Sequence, residues 1–187
     1  MRRSSTRWAM LIAAGILLAD IAAFAQTNVG TQPKSEMSPA TRSAAQTKSS
    51  TTRYIHDAAM TDMFEVQAGK LAITKGRNND VKDFARAMVN DHSDSTKKLK
   101  DAIAEAKLKT KPPIKLDAAH QKMLDQLKTA SASRFDRLYM DMQVKGHKQA
   151  LALHKGYAAN GDVAQLKTTA GEISEVVQHH ILSLIHI

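Results

Sequence analysis

No cysteine occurs among the 187 residues, so neither disulfides nor thiolate metal ligands are available to the folded chain, and no N-terminal cysteine can carry a lipid anchor. Aromatic residues make up only 4%. Glycine and proline are scarce beyond the N-terminal region, and nothing alternates with the period of two that a membrane barrel needs. There is no glycine-rich phosphate loop, HExxH pair or nucleophile elbow, so hydrolase and nucleotide chemistry have no support, and nucleic acid is not expected as a partner. Alanine, leucine, methionine and lysine dominate instead, and these are helix formers. We expect an all-α domain held together by helix packing.

Residues 1–26, MRRSSTRWAMLIAAGILLADIAAFAQ, open on Arg2, Arg3 and Arg7, continue with an apolar run from Trp8 to Ala19, and close on Ala23-Phe24-Ala25. This is the pattern of a secretory signal peptide over residues 1–25. The run is short for a span and Asp20 interrupts it, so no integral membrane segment is expected after cleavage. Ser4-Ser5-Thr6 follow the arginine pair where a twin-arginine signal carries an apolar residue, which favours the general export route. The expected location is periplasmic or secreted. Cleavage removes three arginines and Asp20, leaving 27 − 3 = 24 basic against 18 − 1 = 17 acidic residues. A surface of that sign could suit anionic cell-envelope polymers or headgroups as partners, although a solvated basic face is the favoured account of it.

Residues 26–53 are rich in Ser, Thr, Gln and Ala, with few large apolar side chains, and read as a flexible linker. Helical patterns follow over about 54–76, 80–107, 117–130, 133–159 and 162–182, with Asp80, Asp117, Ser133 and Asp162 at positions suited to N-caps. Four long helices and a short one, spanning 54–181, predict an antiparallel four-helix bundle with an accessory helix. The last six residues, LSLIHI, match the translation of a transposon-derived sequencing adapter, so 182–187 are expected to be a non-native tail and carry no functional reading.

Projection at about 100° per residue shows where the unusual side chains point. In the stretch FARAMVNDHSD, His92 lies at the centre of the apolar stripe formed by Val81, Ala85, Met88, Leu99 and Ile103. Glu65 points inward on a stripe of small residues that includes Ala58, Ala68, Gly69 and Ala72. His147 and His154 share one face of the fourth helical segment with Gln143, and Tyr139 stands on its shoulder. On the last segment His180 is the inward member of the pair His179-His180. One inward polar group therefore comes from each long helix: Glu65, His92, His147 and His180. Imidazole and carboxylate are donors for one divalent transition metal ion such as Zn²⁺, Fe²⁺ or Cu²⁺, and bundle cores are where such sites are built. The same groups can also satisfy one another as a buried hydrogen-bond network with Tyr139. The Glu-x-x-His repeat of di-iron bundles is absent, so a metal centre would be mononuclear.

The stretches FEVQAGKLAITKG, VKDFARAMVNDHSDSTKKL, RFDRLYMDMQVKGHKQAL and VVQHHI, taken together over 54–181, resemble domain of unknown function 4142, a bacterial family of exported ferritin-like proteins. The resemblance implies a ferritin-like bundle in the envelope, with Glu65, Asp91-His92, Tyr139, His147 and His180 on the family's polar positions. His154 is added as a supporting residue from its face alone. The expected function is a non-enzymatic bundle in envelope maintenance or stress tolerance, with a metal or small-ligand site in its core. A metal-dependent oxidase or metal-storage protein, and a basic scaffold on anionic envelope polymers, are the alternatives.

Overall fold

The computed structural model describes residues 39–187, with side chains from residue 50 onward. The expected signal peptide and the first part of the expected linker lie outside this range. Five helices follow in order: α1 Pro39–Lys75, α2 Asn79–Glu105, α3 Ala118–Thr129, α4 Ala132–Asn160 and α5 Ala164–Ser183. The four later helices begin and end within two residues of the sequence expectation.

α1 departs from that expectation by starting at Pro39, inside the stretch read as linker. Serine, threonine and alanine are compatible with a helix once tertiary contacts hold it. Thr51 supplies such a contact, for its hydroxyl lies 2.8 Å from the Tyr157 hydroxyl and donates to Asp162 Oδ1. Asp162 is thereby used as an acceptor for α1, and Val163 occupies the N-cap of α5. At α2 the cap is Asn78, whose side chain accepts from the Asp80 amide, and at α4 it is Ser131. Asp117 caps α3 as expected, accepting from the His120 amide. α5 runs through Leu182 to Ser183, and Leu184 packs against the core, so the first residues of the expected tail continue the helix.

The long helices form an antiparallel four-helix bundle in which α1 neighbours α2 and α4, and α5 neighbours α2 and α4. α2 ends beside Tyr54 and Ile55 of α1, whereas α4 begins near the C-terminal end of α1, where Asp136 meets the Arg77 and Asn78 amides. Residues 106–131, including α3, return along the bundle to make that link, the single long crossover of a ferritin-like fold. α3 is fastened to α1 by the Lys75 ammonium, which donates to the carbonyls of Leu127, Lys128 and Ala130 at the helix's C-terminal end.

Two apolar clusters occupy the ends of the bundle. One contains Phe64, Met88, Leu124, Leu127 and Phe135, and the other Tyr54, Ile55, Leu99, Ile103 and Leu166. Between them lies a layer of buried polar side chains: Asp62 and Glu65 from α1, His92 and Ser95 from α2, Gln143 and His147 from α4, and His180 from α5. Antiparallel register brings these positions to one depth, because each long helix crosses the layer near its middle or its end.

Below that layer α1 and α2 approach closely at Gly69. A Cβ added at Gly69 would lie 2.8 Å from Val89 Cγ2 and 3.0 Å from the Ala85 carbonyl oxygen, so glycine is required by contact with the facing helix. Gly69→Val is expected to lower unfolding stability by about 1–3 kcal/mol, the usual effect of overpacking. Chemical denaturation measures it, and an unchanged midpoint would contradict the close approach described.

Candidate metal centre

His92, His147 and His180 each bring one ring nitrogen into a group whose members all lie within 4.8 Å of one another, and all three residues are buried. The ring centroids are 5.2 Å apart for His147 and His180, and 5.7 Å from His92 to each. Two nitrogens bound to one ion at about 2.0–2.1 Å lie at most about 4.2 Å apart. The present spacing therefore closes on an ion with small side-chain rotations.

The outer nitrogen of each ring is held by an acceptor. His92 Nδ1 lies 2.8 Å from Asp62 Oδ1, His147 Nδ1 lies 3.0 Å from the Gln143 carbonyl oxygen, and His180 Nε2 lies 2.8 Å from Asp91 Oδ2. A carbonyl and ionised carboxylates accept and do not donate, so each of these bonds takes the N–H of its ring. The nitrogens left facing one another are His92 Nε2, His147 Nε2 and His180 Nδ1. The last two are 3.2 Å apart, and His92 Nε2 has no hydrogen-bond partner. With one proton per ring, all three inner nitrogens are lone pairs pointing at a common centre. Outer hydrogen bonds of this kind orient metal-ligating imidazoles and raise their basicity.

Electrostatics keep two of the rings neutral. Burial pushes His147 down to about 3, helped by the charges of His92 and His180. Burial also lowers His180, against the opposing bond to Asp91. At His92 burial favours the neutral form as well, but the hydrogen bond and charge of Asp62, with Glu65 and Asp91, outweigh it and hold its pKa above the usual histidine value. A protonated His92 then carries a buried N–H with no acceptor. A cation in place of that proton satisfies the nitrogen, which is the ordinary exchange when a metal binds imidazole.

Asp62 anchors the arrangement. It is buried, and beyond His92 its other oxygen accepts from Ser95 Oγ at 2.9 Å and Thr96 Oγ1 at 3.3 Å. Sequence reasoning passed over it, although it stands three residues before Glu65 and so shares a helix face with it. An acidic residue on the shoulder of a stripe of small residues was the available signal.

Three of the four expected ligands thus converge, and Glu65 does not join them. Its Oε2 accepts from Gln143 Nε2 at 2.6 Å, and it lines a separate pocket of about 640 Å³ among α1, α3 and α4 with Phe64, Met123 and Gly146. Burial raises its pKa, against the opposing influence of His92 and Gln143. Tyr139 is buried with its hydroxyl unpartnered, and burial and the Glu65 charge hold that proton firmly. Among the supporting residues, Asp91 acts on His180 as described. His154 lies apart from the triad, with its Nδ1 3.1 Å from the Tyr54 hydroxyl, and Tyr54 stacks on Tyr157 at 4.0 Å between centroids. As projected, His180 is buried and His179 exposed.

The fold and this histidine layer define a ferritin-like helical bundle with a buried polar centre. The chain belongs to the family described as "Domain of unknown function (DUF4142)", which matches residues 36–186. A solved structure, the crystal structure of a DUF305 fragment from Deinococcus radiodurans, is similar with a TM-score of 0.61 at 10% identity, covering 73% of this chain and 93% of that one. At that identity the likeness speaks to the fold alone. No curated protein matches the chain. Among the described residues, no helix is long and apolar enough to cross a membrane.

His154 offers a test of burial in this core. Its folded pKa is pushed down to about 4, mainly by burial and further by His92, against the attraction of Asp62. An unfolded histidine titrates near 6.5, so the unfolded chain takes up the proton first, and stability present above about pH 6.5 is lost as pH falls toward 4. Glu65 and His92, both raised, act in the opposite sense. Comparing wild type with His154→Gln isolates the one group: the variant's stability should fall less between pH 6.5 and 4, by about 1.4 kcal/mol per unit. Parallel curves from urea titrations at several pH values would show that His154 titrates freely in the folded state.

Proposed function

We propose that this chain is an exported helical bundle that holds one divalent transition metal ion in its core and serves envelope maintenance or stress tolerance. The observation that carries the metal reading is the convergence of one inner ring nitrogen from each of His92, His147 and His180, with every outer nitrogen already at hydrogen-bond distance from an acceptor. Among the described residues, three buried polar side-chain atoms lack a hydrogen-bond partner, Tyr139 Oη, Gln143 Oε1 and His92 Nε2, and of these His92 Nε2 belongs to the converging triad. Three imidazoles suit Zn²⁺, Co²⁺, Cu²⁺ or Fe²⁺ rather than Mg²⁺ or Ca²⁺, which prefer oxygen. The basic N-terminal start, apolar run and Ala-Phe-Ala site support export. A single mononuclear centre fits a resident ion better than bulk storage.

Elemental analysis of the purified, dialysed protein tests this. One equivalent of Zn²⁺ or Co²⁺ should be retained by the wild type and lost in the His92→Ala, His147→Ala double variant. Added ion should also raise the wild-type unfolding temperature, by the equivalent of about 2.7 kcal/mol at a hundredfold excess over the dissociation constant. Protein that stays metal-free, with no thermal shift on adding either ion, would overturn the reading.

A further inference from the structure

The three histidines offer three donors, and the acidic groups around them are already engaged. Asp62 holds His92, Ser95 and Thr96, Asp91 holds His180, and Glu65 holds Gln143 outside the triad. Gln143 Oε1 is unpartnered, but its amide is held by Glu65 outside the triad, so an ion bound by the three histidines alone keeps one open coordination position. Three protein ligands with an open fourth position distinguish exchange-competent sites from closed structural ones.

A pocket also lies against the triad. Between α2 and α5 lies a pocket of about 120 Å³, and the two buried triad members His92 and His180 line it. Ser95, Ile173 and Val177 form its buried walls. Asp91, Asp94, Lys98 and Val176 lie toward solvent. The third histidine, His147, does not line the pocket, which therefore touches the triad on its α2 and α5 side. A water takes about 30 Å³ of liquid, so the pocket has room for about four. Pockets for metabolites run to about 300–1,000 Å³, which excludes ligands of that size here.

Resting on the metal reading above, we infer that the open position faces the α2–α5 pocket and takes solvent or a small monoanion of two to four non-hydrogen atoms. Neutral imidazoles leave the ion's double positive charge uncompensated within its coordination shell, which favours an anion over a neutral molecule in the fourth place. At the mouth Asp91 and Asp94 outnumber Lys98, which is itself paired with Glu172, and that balance favours an incoming cation, so the same route serves loading of the ion. The exchange is a ligand substitution: the bond from ion to water breaks as the bond from ion to anion forms, and no electron is transferred.

Azide titrated into the Co²⁺-loaded full chain tests this through the visible absorption of the ion, which follows its ligands. A saturable spectral change with one azide per Co²⁺ is expected. Val176→Trp at the rim, and Val177→Phe in the wall, should keep the Co²⁺ and weaken azide binding at least tenfold. Two variants are used because the buried Val177 substitution is the more disruptive to packing. Retained Co²⁺ with a spectrum indifferent to azide overturns this inference and leaves the metal reading standing. Failure to retain Co²⁺ overturns both. Undiminished azide binding in Co²⁺-loaded Val176→Trp and Val177→Phe overturns the route.

Discussion

A charged carboxylate buried in an apolar bundle is unfavourable unless neighbouring groups hold it, and the contact between Asp62 and His92 is where this protein meets that condition. Asp62 is in reach of three side chains of α2, which locks α1 and α2 in register. That register turns the His92 ring so that its second nitrogen faces α4 and α5. The two apolar clusters on either side leave the polar layer no alternative partners except one another.

The other two histidines are placed by the same logic with different acceptors. His147 is tied to the backbone of its own helix one turn back, and His180 reaches across to a half-exposed carboxylate on α2. Each ring thus has one nitrogen fixed and one turned inward. Burial disfavours charge on His147 and His180, so the inner nitrogens are Lewis bases rather than acids. This combination of orientation and mutual proximity, with charge disfavoured on two of the three rings, makes the triad a candidate metal centre, beyond what the presence of histidines in a core implies.

Much of the architecture was legible in the helical periodicity. The inward directions of Glu65, His92, His147 and His180 followed from residue spacing, as did the choice of His180 over His179, because a helix imposes a constant angle per residue. Cap chemistry was less legible. Asn78 caps α2 instead of Asp80, since the turn after Lys75 places Asn78 one step outside the helix, and Asp136 reaches over from α4 to accept from the Arg77 and Asn78 amides. The inclusion of Thr51 in α1 was missed for a related reason: a Ser/Thr-rich segment has no strong preference of its own, and a distant tyrosine and aspartate provide the partners of Thr51.

The sequence by itself determined an all-α chain, its helix count and the face on which each polar side chain lies, because these depend on local spacing and propensity. Only the tertiary structure decided depth, and depth separates ligands from neighbours. It brought His92, His147 and His180 together, turned Glu65 toward Gln143 and a different pocket, and revealed Asp62 as the anchor. Sequence spacing carries no information about how far one helix slides along another; the contacts of Asp62 with His92, Ser95 and Thr96 hold that relation between α1 and α2.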